Sequence, residues 1–191
     1  MRSLGNARRA GILLAAVVAL AFVSMSTAQE LCTSCHGPGG NSMTSGVPSI
    51  AAQPKTFLEN QLVLIREGMR VSPVMQPIVA GMKDAEITQL AEHFSKLPSK
   101  PSSTVRTDAA LAKRGAEVAR GLHCGVCHLS DYRGQNQVPR LAGQRVEFLV
   151  TSMREFRDGK RSGGDTIMAA VLHGVSNADI DALAHFLAAR R

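Results

Sequence analysis

The residues Cys32-Thr33-Ser34-Cys35-His36 recur 92 positions later as Cys124-Gly125-Val126-Cys127-His128. These two Cys-x-x-Cys-His motifs use all four cysteines of the 191-residue chain. The likeness continues past the motifs at an offset of 91 to 93 residues. Further matches pair residues 48–53 with 139–144, 57–58 with 148–149, 66–70 with 157–161 and 84–91 with 177–184. A repeat of this period predicts two related units in tandem, here called the first and the second unit.

Each unit is predicted to be helical. Apolar spacing indicates a helix over residues 55–68 and its counterpart over 146–158. A closing helix follows in each unit, with Asp84 and Asn177 as the expected N-cap residues. No stretch alternates apolar and polar residues for long enough to indicate a strand, so the predicted class is all-α.

The two units are predicted to begin differently. Asp108 should cap an Ala-rich helix that runs toward Arg120, ahead of the second motif. Only residues 29–31 precede Cys32 if the chain is cleaved after Ala28. An N-terminal helix is therefore not expected in the first unit.

Residues 1–28 have the features of an export signal. Arginines precede a 13-residue apolar run over 11–23, and small residues follow at 26–28. The run is shorter than the roughly 20 residues that span a bilayer. The predicted organisation is a cleaved signal peptide over 1–28, domain 1 over 29–97, a Pro- and Ser-rich linker over 98–107 and domain 2 over 108–191, with the mature chain in the periplasm.

The charge is modest once this segment is set aside. The chain has 22 Lys and Arg against 15 Asp and Glu, a formal charge of +7. Three arginines and no acid lie in 1–28, which leaves +4, all of it beyond residue 100. This balance argues against nucleic-acid binding. The basic residues of the second unit either dock an acidic redox partner or form a solvated face. They include Arg133, Arg140, Arg145, Arg154, Arg157, Lys160 and Arg161.

The motif spacing is typical of covalent haem attachment, in which two thiols add to the porphyrin vinyl groups and the adjoining histidine binds the iron. A four-cysteine zinc site is disfavoured, because 88 residues separate the pairs and zinc gives no reason for a histidine after each. A thioredoxin-like motif lacks its βαβ context, and plain disulfides leave the repeated histidine unexplained. The sequence predicts two covalent haem c groups. Their anchors are Cys32, Cys35, Cys124 and Cys127, with His36 and His128 as proximal ligands.

The repeat also narrows the sixth iron ligand. Met75 lies 39 residues after His36, and Met168 lies 40 residues after His128, whereas no other pair of methionines agrees so closely. Two-histidine ligation would need His93 or His173, which do not recur as a pair. Met75 and Met168 are therefore the predicted axial ligands, a choice that raises the reduction potential relative to two histidines.

Other methionines and two prolines receive different predicted roles. Met69, Met82 and Met153 are expected to fill gaps in the cores. Pro48 and Pro139 follow their histidines by 12 and 11 residues. The carbonyl of each proline is expected to accept a hydrogen bond from the ring N–H of its proximal imidazole.

These motifs in combination resemble dihaem cytochrome c4 and the class I cytochrome c family. The resemblance rests on Cys-x-x-Cys-His, the Gly-x-Gly-Gly-Asn-Ser of 37–42, the Pro-x-Leu-Ala-Gly-Gln of 139–144, the Phe-Arg-Asp-Gly-Lys-Arg of 156–161, Met168 and the closing helix. It implies two class I cytochrome c folds face to face. It further implies electron transfer in the periplasm or at the outer face of the inner membrane, and it supports the methionine and proline assignments. The first unit has a looser proline segment, Pro48-Ser49-Ile50-Ala51-Ala52-Gln53.

Three functions fit this prediction. The favoured one is a non-enzymatic electron carrier between a quinol-oxidising complex or a dehydrogenase and a terminal haem-copper oxidase, because a haem with two axial ligands has no open position. The second is a cytochrome subunit bound to one dehydrogenase. The third is a dihaem peroxidase, which needs one haem with a displaceable ligand.

Overall fold

The computed structural model describes residues 27–100, 105–161 and 166–191. The predicted signal peptide lies outside these ranges except for its last two residues, and so does the middle of the predicted linker. The described residues are helical and contain no strand, only one isolated bridge between Gln135 and Val138. The all-α prediction is confirmed.

Four α-helices lie among the described residues of the first unit. Residues 27–36 form α1, followed by α2 (Lys55–Arg66), α3 (Gln76–Val79) and α4 (Asp84–Lys96). Helix α2 packs against α4 around a core of Leu58, Leu90, Ala91 and Phe94.

Helix α1 corrects one expectation for the first unit. The motif Cys32–His36 is itself helical, and the helix extends toward the N-terminus for about one turn before Cys32. Ala28 packs against the core of this unit. The expectation of no helix ahead of the first motif is therefore wrong for the described residues.

The part of the second unit that the structure describes contains α5 (Ala109–Gly121), α6 (Cys124–His128), α7 (Val146–Arg157), α8 (Thr166–Leu172) and α9 (Asn177–Ala189). Helices α5 and α7 both pack against α9. The core contains Leu149, Leu172, Ile180, Leu183 and Leu187. Asp108 caps α5 as predicted, because its Oδ1 accepts a hydrogen bond of 2.8 Å from the Leu111 amide.

The caps of the two closing helices lie one residue earlier than predicted. Lys83 and Ser176 occupy the N-cap positions, and Ser176 Oγ accepts from the Asp179 amide at 3.1 Å. Asp84 and Asn177 instead accept hydrogen bonds from arginines of the preceding long helix. Their carboxylate and amide oxygens are thus used for tertiary contacts and not for capping.

The looser proline segment of the first unit keeps the backbone of its counterpart. Gly143 has φ +71°, and Ala52, at the equivalent position, has φ +54°. Both amides donate to the carbonyl of the closing helix, to Phe94 at 3.0 Å and to Leu187 at 3.1 Å. The left-handed region is disfavoured for a residue with a Cβ, so Ala52 is strained where Gly143 is not.

Ala52→Gly should therefore raise the free energy of unfolding of the first unit by about 1 kcal/mol. The mirror change Gly143→Ala should lower the free energy of unfolding of the second unit by a similar amount, because alanine is strained at this positive φ. The new Cβ adds no collision to that strain, since its nearest contact is the Arg190 carbonyl oxygen at 3.5 Å. Guanidinium unfolding of both variants and the wild type measures the two changes. A lower stability of Ala52→Gly would contradict the strain.

Candidate haem sites

The four motif cysteines lie at the edges of the two cores. In each motif the two cysteines are three positions apart on a helix, which places their thiols on one face. Cys32 and Cys124 pack against the cores, and Cys35 and Cys127 are exposed. Burial raises the pKa of the Cys32 and Cys124 thiols.

The thiols of the two motifs are not gathered into one site. All four cysteines belong to the described residues, and none forms a disulfide. Within the described ranges no cluster of three or more His, Cys, Asp or Glu side chains has metal-binding geometry. The structure therefore does not assemble the four-cysteine zinc site.

Both motif histidines are buried, with 7% of His36 and 4% of His128 exposed. His36 Nδ1 lies 2.8 Å from the Pro48 carbonyl oxygen, and His128 Nδ1 lies 2.9 Å from that of Pro139. Because a carbonyl only accepts, Nδ1 carries the proton and Nε2 is the nitrogen with the lone pair. Burial lowers the pKa of His36, and the smaller effect of the Pro48 carbonyl opposes it. The neutral imidazole that a metal needs is thus the favoured form of His36.

The proline segments are held in place by the same backbone contacts in both units. The amides two and three residues after Pro48 donate to the Gly40 carbonyl at 2.8 and 3.0 Å. The corresponding amides after Pro139 donate to the Tyr132 carbonyl at 2.9 and 3.0 Å. Gly134 packs so tightly beneath the second segment that a Cβ would collide with the Pro139 carbonyl carbon. The acceptors for the two imidazoles are therefore fixed by backbone.

The two predicted ligand methionines lie in equivalent segments, between the two long helices of each unit. Met75 immediately precedes α3, and Met168 lies within α8. Both side chains are half-buried, and Met168 packs against the core that Cys124 also contacts.

In each unit an arginine binds the end of the methionine segment, the stretch between the two long helices that contains Met75 or Met168. Arg66 Nη1 donates to the Met82 carbonyl at 2.9 Å and to Asp84 Oδ1 at 2.7 Å. Arg157 Nη1 donates to the Val175 carbonyl at 3.1 Å and to Asn177 Oδ1 at 2.8 Å. Each arginine thus ties the end of a methionine segment to the start of the closing helix.

The other methionines separate into two groups. Met153 is 8% exposed within the second core, and Met82 packs against the first. Met69 is 49% exposed, so its predicted role as a core filler is wrong. It follows a glycine of φ +69° that turns the chain after α2 toward solvent.

Two family models match the chain, one in each unit. The model of cytochrome c matches residues 112–190, and that of subunit III of cbb3-type cytochrome c oxidase matches residues 25–94. The chain is 31% identical over 177 residues to cytochrome c4 of Stutzerimonas stutzeri, which covers 82% of this chain and 83% of that one. The chain belongs to the dihaem class I cytochromes c, the family of cytochrome c4.

Two further comparisons agree with this family. The thiosulfate dehydrogenase electron acceptor of Thiomonas intermedia (strain K12) is 31% identical over 169 residues, which are 83% of this chain and 78% of that one. The crystal structure of reduced recombinant cytochrome c4 from Pseudomonas stutzeri matches with a TM-score of 0.79 at 28% identity, over 87% of this chain and 98% of that chain. The chain is thus a c-type cytochrome of electron transport with two covalently bound haem c groups, one in each cytochrome c domain.

The side chains of this dihaem cytochrome suit that cofactor. Each motif offers two thiols on one helical face and a buried imidazole whose Nδ1 is already bound. Each unit adds one half-buried methionine in the equivalent segment. Soft sulfur and imidazole are donors that haem iron accepts.

A pair of equivalent arginines lies where the two units of the cytochrome meet. Burial, followed by the charge of Arg161, lowers the pKa of Arg70 to about 10, and the Glu155 carboxylate opposes this. Burial also lowers the pKa of Arg161, whose Nη1 lies 3.3 Å from Glu155 Oε2. Two half-buried cations that share one nearby carboxylate favour a further anion at this place.

Five of the seven basic residues singled out from the sequence of the second unit have acidic partners within the same unit. The pairs are Arg133–Asp131 (3.5 Å), Arg145–Glu147 (3.5 Å), Arg154–Asp181 (2.7 Å), Arg157–Asp158 (2.7 Å) and Arg161–Glu155 (3.3 Å). These partners reduce the positive field that a docking protein would meet. Lys160 is exposed.

Two matched pairs of polar residues were given no shared role in the sequence interpretation. Gln53 and Gln144, and Arg70 and Arg161, occupy matched positions of the repeat and are buried or half-buried. The repeat itself was the signal, since it preserved these polar residues where most surface positions changed. Within the described ranges, no helix of the cytochrome combines the length and apolar character that crossing a bilayer requires.

Proposed function

We propose that this dihaem cytochrome carries single electrons in the periplasm, from a quinol-oxidising complex or a dehydrogenase toward a terminal haem-copper oxidase, and that it is not an enzyme. The observation that supports this most directly is the matched pair of buried imidazoles on proline carbonyls, at 2.8 and 2.9 Å. A closed set of ligands favours electron exchange over binding of small molecules.

The proposed iron ligands are His36 with Met75, and His128 with Met168. The proposed covalent anchors are Cys32, Cys35, Cys124 and Cys127. When bound, each haem supplies an iron that exchanges one electron. The polypeptide fixes the orientation of each imidazole through Pro48 or Pro139 and surrounds it with apolar side chains that exclude water.

Arg70 and Arg161 are proposed to lie beside the haem propionates. Each haem c brings two carboxylates, and this arginine pair is a half-buried cationic feature present in both units. Burial of the arginines and their mutual repulsion, which lower the pKa of Arg70 to about 10, would be offset by such anions.

The proposed domain boundaries follow the repeat. Domain 1 covers 29–97 and domain 2 covers 108–191, joined by the linker 98–107, and 1–28 is the cleaved signal peptide. The mature protein is proposed to work in the periplasm or at the outer face of the inner membrane.

A second candidate function is that of an electron acceptor dedicated to one periplasmic dehydrogenase. It is favoured by the relative named as the electron acceptor of thiosulfate dehydrogenase, at 31% identity. Reduction rates distinguish the two. Faster reduction by thiosulfate dehydrogenase with thiosulfate than by quinol-oxidising membranes would favour the dedicated acceptor.

The carrier function is tested by mixing reduced holoprotein with membrane vesicles that contain a haem-copper oxidase. Its oxidation, followed by absorbance, should slow several-fold as salt rises from low to physiological ionic strength, because the net positive charge lies in the second unit. Lys160→Glu should slow the reaction, whereas Lys83→Glu, an equally exposed change in the first unit, should not. No oxidation by the vesicles, or oxidation by hydrogen peroxide instead, would contradict the proposal.

A further inference from the structure

Two buried glutamines exchange hydrogen bonds between the units in a reciprocal pattern. Ser49 N donates to Gln144 Oε1 at 2.7 Å, and Gln144 Nε2 donates to the Ser49 carbonyl at 2.9 Å. Arg140 N donates to Gln53 Oε1, and Gln53 Nε2 donates to the Arg140 carbonyl, both at 2.9 Å. Gln53 and Gln144 are 5% and 4% exposed and occupy matched positions of the repeat. Each glutamine therefore binds both the backbone N–H and the backbone carbonyl of one residue in the other unit.

The residue that each glutamine binds shares a peptide group with the histidine acceptor. The Ser49 N–H and the Pro48 carbonyl belong to one planar amide, and so do the Arg140 N–H and the Pro139 carbonyl. The same Pro48 oxygen lies 2.8 Å from His36 Nδ1, and the Pro139 oxygen lies 2.9 Å from His128 Nδ1. A continuous chain of hydrogen bonds thus runs from Gln144 to His36, and a second one runs from Gln53 to His128.

We propose that Gln53 and Gln144 are positioning residues, each of which sets the reduction potential of the haem in the opposite unit through this shared peptide group. The inference rests on the proposed histidine ligands. A hydrogen bond to the amide N–H polarises its carbonyl, and chained bonds strengthen one another by roughly 10–30%. A stronger acceptor at Pro48 or Pro139 makes the imidazole a better donor to iron and stabilises the ferric state. Gln144 thereby lowers the potential of the first haem, and Gln53 lowers that of the second.

The crossed arrangement also links the potentials to the contact between the units. Whatever separates the two units removes both chains of hydrogen bonds together. Both potentials should then rise, so docking of a partner against this boundary would change the driving force for electron transfer at both haems.

The test replaces each glutamine by methionine, which has a similar length and neither accepts nor donates strongly. Gln144→Met should shift the potential of the first haem upward by up to about a tenfold change in its redox equilibrium, ~59 mV for one electron. The second haem should stay unchanged. Gln53→Met should raise the potential of the second haem by a similar amount and leave that of the first unchanged. In the reduced, diamagnetic protein the Nδ1–H proton resonance of the histidine in the opposite unit should move to higher field, which assigns each shift to one haem.

The matched control is Gln137→Met. Gln137 Oε1 accepts from Asn60 Nδ2 at 3.0 Å across the same boundary but touches neither proline peptide. This variant should move neither potential and neither histidine proton. If Gln144→Met does not fold, Gln144→Glu replaces it. Its carboxylate is a stronger hydrogen-bond acceptor for the Ser49 N–H than the amide. The reduction potential of the first haem should therefore fall, and by more than that of the second haem.

Several outcomes would overturn the proposed role of the two glutamines. It fails if the potential shifts only at the haem of the mutated unit, if all three methionine variants shift both haem potentials equally, or if the histidine proton resonances do not move. Each of these outcomes would leave the proposed carrier function intact. A wild-type protein without two low-spin haems would overturn the proposed function and the relay together.

Discussion

Met168→Ala should convert the haem of the second unit from low-spin to high-spin and lower its reduction potential by on the order of 0.2 V. The thioether is the proposed sixth ligand and favours ferrous iron, so its loss opens one coordination position and destabilises the reduced state. The haem of the first unit should keep its spectrum. Met75→Ala should produce the same change at the first haem alone. Optical spectra and potentiometric titration of both holoproteins measure the effect.

Met153→Ala is the control for this change. Met153 lies in the same core and is 8% exposed, so its truncation should cost about 2–5 kcal/mol of stability and leave the ligands in place. Met69→Ala, at an exposed site in the first unit, should change neither stability nor potential. An unchanged spectrum in Met168→Ala, or a high-spin spectrum in Met153→Ala, would contradict the assignment of Met168.

Gly115→Ala should destabilise the second unit by about 3 kcal/mol. Gly115 lies on α5 where that helix crosses α9, and a Cβ there would collide with the Ala182 carbonyl oxygen and lie 2.7 Å from Phe186 Cβ. The obstacle on α9 is backbone, so the two helices would have to move apart. Denaturant unfolding, followed by far-UV circular dichroism and haem absorbance, should show the second unit unfolding at lower denaturant than in the wild type.

Gly121→Ala is the matched change on the same helix. A Cβ at Gly121 meets nothing within 4 Å, so the helix propensity of alanine should leave stability unchanged or raise it by up to about 1 kcal/mol. Equal destabilisation by both substitutions would show that the crossing of α5 and α9 does not depend on the missing side chain of Gly115.

The repeat predicted much of the architecture because covalent attachment and iron ligation fix residue spacing tightly. The helices α2, α4, α5, α7 and α9 were all predicted, since their apolar spacing and the Asp108 cap are local signals. The contacts of Pro48 and Pro139 with the motif histidines were also expected, from their positions together with the family resemblance. Local signals therefore predicted these helices and the two histidine–proline contacts.

What the sequence did not predict depends on contacts between distant residues. Asp84 and Asn177 looked like N-caps, but Arg66 and Arg157 engage them from the preceding helix. The strained backbone of Ala52 is visible only beside its glycine counterpart. The glutamine contacts require the two units to meet in one orientation, which no local pattern specifies.

The most direct test of the proposed chemistry is a potentiometric titration of the wild-type holoprotein followed by optical spectra, with carbon monoxide added to the reduced form. Two haems with His/Met ligation should titrate as two one-electron steps at positive potentials, remain low-spin in both oxidation states, and show no shift with carbon monoxide. A high-spin component, a strongly negative step, or a spectrum that shifts with carbon monoxide would contradict a pair of closed electron-transfer haems.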